Sequence, residues 1–187
     1  MSETVREIEV KYRLSDAAAI EQVLRDRGAV LSTPVRQDDQ AYAQCDWSYG
    51  QSKLGVTFAR LRTSGGCHLF TVKRPLDNEM ACIEHETVVS DREQMHYAIL
   101  AMGFRPTVRI VKTRRTAALG EVSLCVDDVE HAGLFFEVEK VVRPDASALA
   151  VQAELNELAQ SLGVAMQRVT DTYDSIVRSA LASSRTG

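Results

Sequence analysis

Charged and apolar residues alternate along Glu7-Ile8-Glu9-Val10-Lys11-Tyr12, a period of two that predicts a strand with Glu7, Glu9 and Lys11 on one face. The period then changes. Ser15 and Asp16 offer an N-cap, Ile20, Val23, Leu24 and Arg27 follow at helical spacing, and Gly28 ends the run. Residues 30–46 read as extended structure, with a loop over 48–55. Segments 56–62 and 68–74 predict strands joined by Thr63-Ser64-Gly65-Gly66, a hairpin signal. The turn Pro75-Leu76-Asp77-Asn78 leads into a further strand over 80–89. Ser90-Asp91-Arg92-Glu93 forms a capping box for a helix striped by Met95, Ile99 and Met102 and ended by Gly103. Three more strands are expected over 104–116, 120–129 and 134–143. Pro144-Asp145 opens a long helix striped by Val151, Leu155, Leu158 and Leu162 up to Gly163. A last helix covers about 172–181, and a disordered tail is expected over 183–187. Strand meanders interrupted by helices predict an α+β fold with a largely antiparallel sheet, in one domain spanning 1–182.

The alternation of the first strand recurs with unusual chemistry. Arg60 and Arg62 share a face, as do Lys112 and Arg114; Glu84 pairs with Glu86, and Glu137 with Glu139. Lys73 and Asp127 occupy comparable strand positions. The solvent face of an amphipathic sheet also alternates polar and apolar residues. Here, however, the polar positions are almost entirely full charges, and acids segregate from bases by strand. Two carboxylates at i and i+2 stand about 6.5–7 Å apart and repel unless a cation lies between them. Closing the sheet with these charges inward would create a hydrophilic lumen suited to metal and phosphate. Carboxylates bind hard divalent ions, while Arg and Lys bind phosphate oxygens.

Composition narrows the setting. The 187 residues suffice for one sizeable core, and the 45% hydrophobic and 26% charged content is ordinary for a globular domain. The chain has no apolar run long enough to cross a membrane as a helix. Its acidic, strand-like start carries no signal-peptide pattern, so cytoplasmic residence is the expectation. A net charge of −4 argues against a nucleic-acid partner. Cys45, Cys67, Cys82 and Cys125 are scattered and form no CxxC pair, so neither a disulfide framework nor a zinc site is expected. The scattered His68, His85, His96 and His131 read as surface or loop residues. Trp47 and Tyr49 lie in a loop that either covers a tunnel mouth or simply packs.

Glu7-x-Glu9-x-Lys11 resembles the ExExK signature of the CYTH superfamily, the triphosphate tunnel metalloenzymes. The resemblance continues through Arg60-x-Arg62, Thr71-Val72-Lys73, Glu84-x-Glu86, Lys112-x-Arg114, Val126-Asp127 and Gly133-x-Phe135-Phe136-Glu137-Val138-Glu139. Met102-Gly103-Phe104, Val111-Lys112-Thr113-Arg114 and Thr172-Tyr173 look most like the bacterial class IV adenylyl cyclase branch. The resemblance implies a closed, eight-stranded antiparallel β-barrel (tunnel) with flanking helices. It further implies a nucleoside triphosphate or other polyphosphate substrate, Mg²⁺ or Mn²⁺, and a homodimer. By resemblance, Glu7, Glu9, Asp127, Glu137 and Glu139 hold metal. Lys11, Arg60, Arg62, Lys73, Lys112 and Arg114 hold phosphate, and Glu84, Glu86 and Lys112 are the candidate catalytic residues.

Three functions remain open on this reading: adenylyl cyclase, triphosphatase acting on thiamine triphosphate, tripolyphosphate or a nucleotide, and non-catalytic polyphosphate or nucleotide sensor. Two departures from the family pattern bear on the choice. Gln40 and Gln44 flank Tyr42 where relatives often carry acids, and Cys82 stands where relatives often carry an arginine. Arg74 and Arg115 are the nearest spare cations, but strand parity aims both away from the lumen.

Overall fold

A computed structural model describes residues 5–184. Its chain order is β1 (Arg6–Leu14), α1 (Ala17–Asp26), β2 (Val35–Gln44), β3 (Phe58–Ser64), β4 (Cys67–Pro75), β5 (Ala81–Val89), α2 (Arg92–Ala101), β6 (Phe104–Leu119), β7 (Val122–Val129), β8 (Gly133–Val142), α3 (Ala148–Ser161), β9 (Met166–Val169) and α4 (Tyr173–Ser183). The strands pair in the order β5-β4-β3-β2-β6-β7-β8-β1-β9, and an additional β5–β1 pairing closes the first eight into a barrel. Every pairing is antiparallel.

The closing strand divides its edge between two partners. Arg6, Glu7 and Ile8 pair with β5, while Lys11 through Leu14 pair with β9. Because side chains alternate across a strand, this placement sends Ile8, Val10 and Tyr12 outward and Glu7, Glu9 and Lys11 inward. The outward set is fully buried beneath Ile20 and Leu24 of α1 and Val151, Leu155 and Ala159 of α3. On another side, Ile99 of α2 packs on Tyr42, Ala59 and Leu61. The barrel thus has a dry outer layer under its helices and a charged interior.

The tight turn between β3 and β4 uses Gly65 and Gly66 at φ 57° and 82°. Two successive positive φ values match the twist of the flanking strands at little cost only when side chains are absent.

Several sequence expectations shift. The helix expected from Pro144-Asp145 starts later, at Ala148, where the Ser147 hydroxyl accepts from the Ala150 N–H at 3.3 Å. Met102, expected in a core stripe, is 56% exposed because α2 ends before it. Arg27 is the C-cap of α1 rather than part of its stripe. The short β9 was not foreseen; its four residues carry no apolar alternation and are ordered by pairing with β1. Ser183, expected in the disordered tail, ends α4, and residues 185–187 lie outside the described residues.

Candidate functional site

The inward strand faces enclose a cavity of about 520 Å³, within the range of small-molecule sites. Its walls include Glu7, Glu9, Lys11, Arg60, Arg62, Lys73, Glu84, Glu86, Lys112, Arg114, Glu137 and Glu139. Asp127 is the one member of the expected set that does not line it. Parity brings the alternating pairs to one space because each strand of a closed barrel has a single inner face.

Carboxylates gather on the β1–β8 side. Glu9 lies opposite Glu139 in the ladder, and ligand oxygens of Glu7, Glu9 and Glu139 all fall within 4.8 Å of one another. Burial raises the pKa of Glu139 to about 8, and the neighbouring Glu7 charge adds to that rise. Glu9 is also raised by burial, which Lys11 only partly offsets. For Glu7, burial pushes upward, but Lys73 and a hydrogen bond with Glu84 outweigh it and hold the group low. Glu84 is pushed up to about 7, by burial first. Like charges this close need protons or a cation between them. Three carboxylates are a donor set of hard oxygens, and they fit Mg²⁺ or Mn²⁺. A second cluster, Cys125, Glu137 and Glu139, has its donor atoms equally close.

Cations line the remaining wall, each tied to an acid. Lys11 Nζ lies 3.2 Å from Glu137 and 3.3 Å from Glu9. Lys73 pairs with Glu84 and lies 3.5 Å from Glu7. The Arg60 Nη2 donates to Glu86 at 3.2 Å and to Thr71 Oγ1 at 3.1 Å, while its buried Nε has no partner. Lys112 donates to Asp127 at 2.9 Å, and Arg114 grips both Asp127 and Glu137. Burial, with Arg114 adding to it, lowers Lys112 to about 8.

Asp127 is fully buried, and its oxygens accept from Lys112, Arg114 and the Tyr173 hydroxyl, the last at 2.8 Å. Tyr173 lines the cavity from the start of α4. Its ring centroid is 4.1 Å from Lys11 Nζ and 4.6 Å from Lys112 Nζ, and its edge meets Phe135. α4 therefore plugs this end of the barrel, with Val177 packed on Ile110, Val129 and Phe135.

The β2 strand alters the picture most. Tyr42 packs outward on Ile99, and neither Gln40 nor Gln44 lines the cavity. Those departures from the family pattern therefore remove no acid from the tunnel. β2 instead contributes Asp39, whose two oxygens accept from Arg62 Nε and Nη2 at 2.7 Å each. Cys82 does line the tunnel, where burial pushes its thiol up to about 12. Arg74 and Arg115 point away, to Gly55 O and to Glu21. A cation that the sequence reading missed enters instead from the β2–β3 loop. Lys53 lines the cavity and donates to Glu79, Thr172 and Ser175 at 2.7–2.9 Å. No strand alternation marks a loop residue. Among the histidines, His96 bonds Tyr42 outside the barrel at 2.8 Å.

Comparison with known proteins agrees with this architecture. "Putative adenylate cyclase MJ0240" of Methanocaldococcus jannaschii is 24% identical over 165 residues, covering 87% of this chain and 93% of that protein. "Adenylate cyclase CyaB" of Aeromonas hydrophila is 22% identical over 176 residues, covering 94% and 90%. Among solved structures, the PH1012 protein of Pyrococcus horikoshii superposes with a TM-score of 0.76 at 22% identity, over 91% of this chain and 99% of that one. A structure described as "Putative adenylyl cyclase HpAC1 from Hippeastrum reveals a dominant triphophatase activity" gives 0.59 at 17% identity, over 92% and 95%. These likenesses carry the fold, and the family follows from a domain model that matches residues 5–173. The chain belongs to the CYTH domain family.

Proposed function

We propose that this protein is a metal-dependent enzyme acting on a triphosphate, as an adenylyl cyclase that converts ATP to cyclic AMP and pyrophosphate. One observation carries the reading: the three-carboxylate cluster of Glu7, Glu9 and Glu139 opens into a cavity walled by Lys11, Arg60, Arg62, Lys73, Lys112 and Arg114. The cations suit a polyphosphate chain, and the partnerless Nε of Arg60 is a buried donor awaiting an acceptor. A sensor that merely bound the anion would need the bases and have no use for clustered acids.

Mg²⁺ or Mn²⁺ held by Glu7, Glu9 and Glu139 would supply Lewis-acid charge to phosphate oxygens. Arg60, Arg62 and Lys73 would fix the chain in line, and Arg114 would neutralise charge as the leaving group departs. In the cyclase reaction the ribose 3′ oxygen bonds to the α-phosphorus, the bond from that phosphorus to pyrophosphate breaks, and the hydroxyl proton passes to a base. Glu84 and Lys112, held near 7 and 8, can exchange a proton in the working range. Asp127 serves this reading as the anchor that aims Lys112 and Arg114.

The Hippeastrum neighbour's described triphosphatase activity favours one second reading. There, water attacks the terminal phosphorus and orthophosphate leaves, with the same side chains in the same roles. Product analysis separates the two. ATP, thiamine triphosphate and tripolyphosphate are each incubated with Mg²⁺ and with Mn²⁺. Cyclic AMP with pyrophosphate supports the cyclase, and orthophosphate supports the hydrolase. Tight binding without turnover would demote both in favour of a sensor.

A further inference from the structure

β2 lies between two strands that each bring two cations to the lumen, β3 with Arg60 and Arg62 and β6 with Lys112 and Arg114. Its own contribution to the cavity wall is Asp39, Ala41 and Ala43. A carboxylate in a wall that receives phosphate is a liability, because it repels the anion. Asp39 stands opposite Arg62 in one ladder and Ile110 in the other. It is only 3% exposed, so it belongs to no solvated surface.

The bonds it makes account for its presence. Asp39 Oδ1 accepts from Arg62 Nε and Oδ2 from Arg62 Nη2, at 2.7 Å each. Asp127 holds Arg114 through the same two nitrogens, Nε at 2.7 Å and Nη2. Two parallel bonds along one edge fix the plane of a guanidinium. In both arginines the third nitrogen, Nη1, has no partner among the described residues. Neither Nη1 is among the buried atoms left without a bond, so each is open to the space its arginine lines. Burial and the nearby Arg114 charge disfavour a cation at residue 62, and the Asp39 bonds outweigh both. The other cations are held differently. Arg60 reaches Thr71 and Glu86 through Nη2 alone, and an ammonium is a point charge without a fork to orient.

Resting on the triphosphate reading above, we infer that Asp39 is a positioning residue. It holds Arg62 side-on so that Nη1 meets the phosphate chain, in the arrangement that Asp127 imposes on Arg114. An arginine anchored in this way has already given up the rotamer freedom that a loose one loses on binding.

Calorimetry of the full chain with Mn²⁺ and tripolyphosphate tests the assignment without relying on turnover. Removing a negative charge beside an anion would by itself tighten binding. Asp39→Asn keeps the size of the side chain but leaves one acceptor in place of two. Orientation therefore requires the opposite sign, binding weakened by about tenfold, as for one lost charge-assisted hydrogen bond. Asp39→Glu restores both acceptors and should recover most of that loss. Arg62→Gln should weaken binding by a similar factor, and by little more when Asp39→Asn is already present. Unchanged or tighter binding by folded Asp39→Asn, or fully additive losses in the double variant, would overturn the inference. If Asp39→Asn does not fold, Arg62→Lys decides. It keeps the charge but not the side-on pair, so it should weaken binding as Arg62→Gln does; binding as tight as that of the unaltered protein would equally overturn the inference. If the unaltered protein binds neither tripolyphosphate nor ATP with Mn²⁺, the triphosphate reading fails first, and the inference with it.

Discussion

Arg62 is buried with both arms of its guanidinium on Asp39, and this pair shows how the tunnel holds its charges when no ligand neutralises them. Burial pushes Asp39 upward, but the Arg62 hydrogen bonds outweigh it and hold the carboxyl low. Removing one partner strands the other. Asp39→Ala should cost about 3–5 kcal/mol in urea unfolding, with Arg62→Leu in the same chain restoring much of the loss. A single-variant cost below about 1 kcal/mol would show that Arg62 escapes to water. The carboxylate cluster makes a different prediction. Glu9→Gln keeps the shape but removes a donor charge, so turnover should fall by about 10²-fold or more, roughly 2.7 kcal/mol of barrier. Unchanged circular dichroism with unchanged turnover would exclude Glu9 from the metal set. At this scale the sequence was legible wherever charges alternated on a strand. Lys53 and Tyr173 were hidden in their roles, since a loop lysine and a helix-start tyrosine reach the tunnel only through the packing of distant segments.

Among the elements, α3 secures the closing strand, and α4 closes the barrel end. Leu155 of α3 is 2% exposed among Ile8, Val10 and Tyr12, the outward face of the strand that carries the metal-type acids. Leu155→Ala should destabilise by about 2–5 kcal/mol, read as a shift in the urea midpoint. A loss under about 1 kcal/mol would mean that α3 is loosely docked. Lys53 ties the β2–β3 loop to the N-terminal turn of α4 through Thr172, Ser175 and Asp174. Lys53→Met should loosen that junction, raising amide exchange in the first turn of α4 by about tenfold while leaving α3 protected. Equal protection in both proteins would show that Val177 and Phe135 hold α4 without the lysine. Helix stripes and the caps at Asp16 and Asp91 were readable because local spacing encodes them, whereas the Ser147 cap of α3 and the ends at Arg27 and Met102 were not. β9 was not, since its order comes from the stretch of β1 edge that β5 leaves open.

For the whole molecule, the unliganded tunnel is an electrostatic load whose size depends on pH. Glu84 and Glu139 ordinarily titrate near 4.5 and are raised to about 7 and about 8 by burial. A carboxyl raised on folding binds its proton more tightly in the folded state. Its stabilising contribution is complete below about 4.5 and is lost as pH rises through 7 and 8. Asp39, Asp127 and Glu137 are shifted the other way, so their contribution is constant throughout that window. The metal-free protein should therefore lose about 5 °C or more in Tm between pH 5 and 8. Saturating Mn²⁺ should flatten that slope and release protons on binding. A metal-free Tm that rises across the window would contradict the buried-acid picture. The lowered Lys112 acts with opposite sign, but only above about pH 8.

The sequence by itself determined which side chains share a strand face, because a period of two is a property of the extended backbone and needs no partner. It also determined the helix stripes, and its ordered charge motifs pointed to the CYTH family. Tertiary structure alone decided how those faces converge. The β1–β8 ladder brought Glu7, Glu9 and Glu139 together, closure through β1 and β5 walled them in, β2 turned Asp39 rather than Gln40 or Gln44 into the lumen, and α4 enclosed Asp127 behind Tyr173. Register, shear and the docking of α4 depend on contacts between residues far apart in the chain, and no local pattern records them.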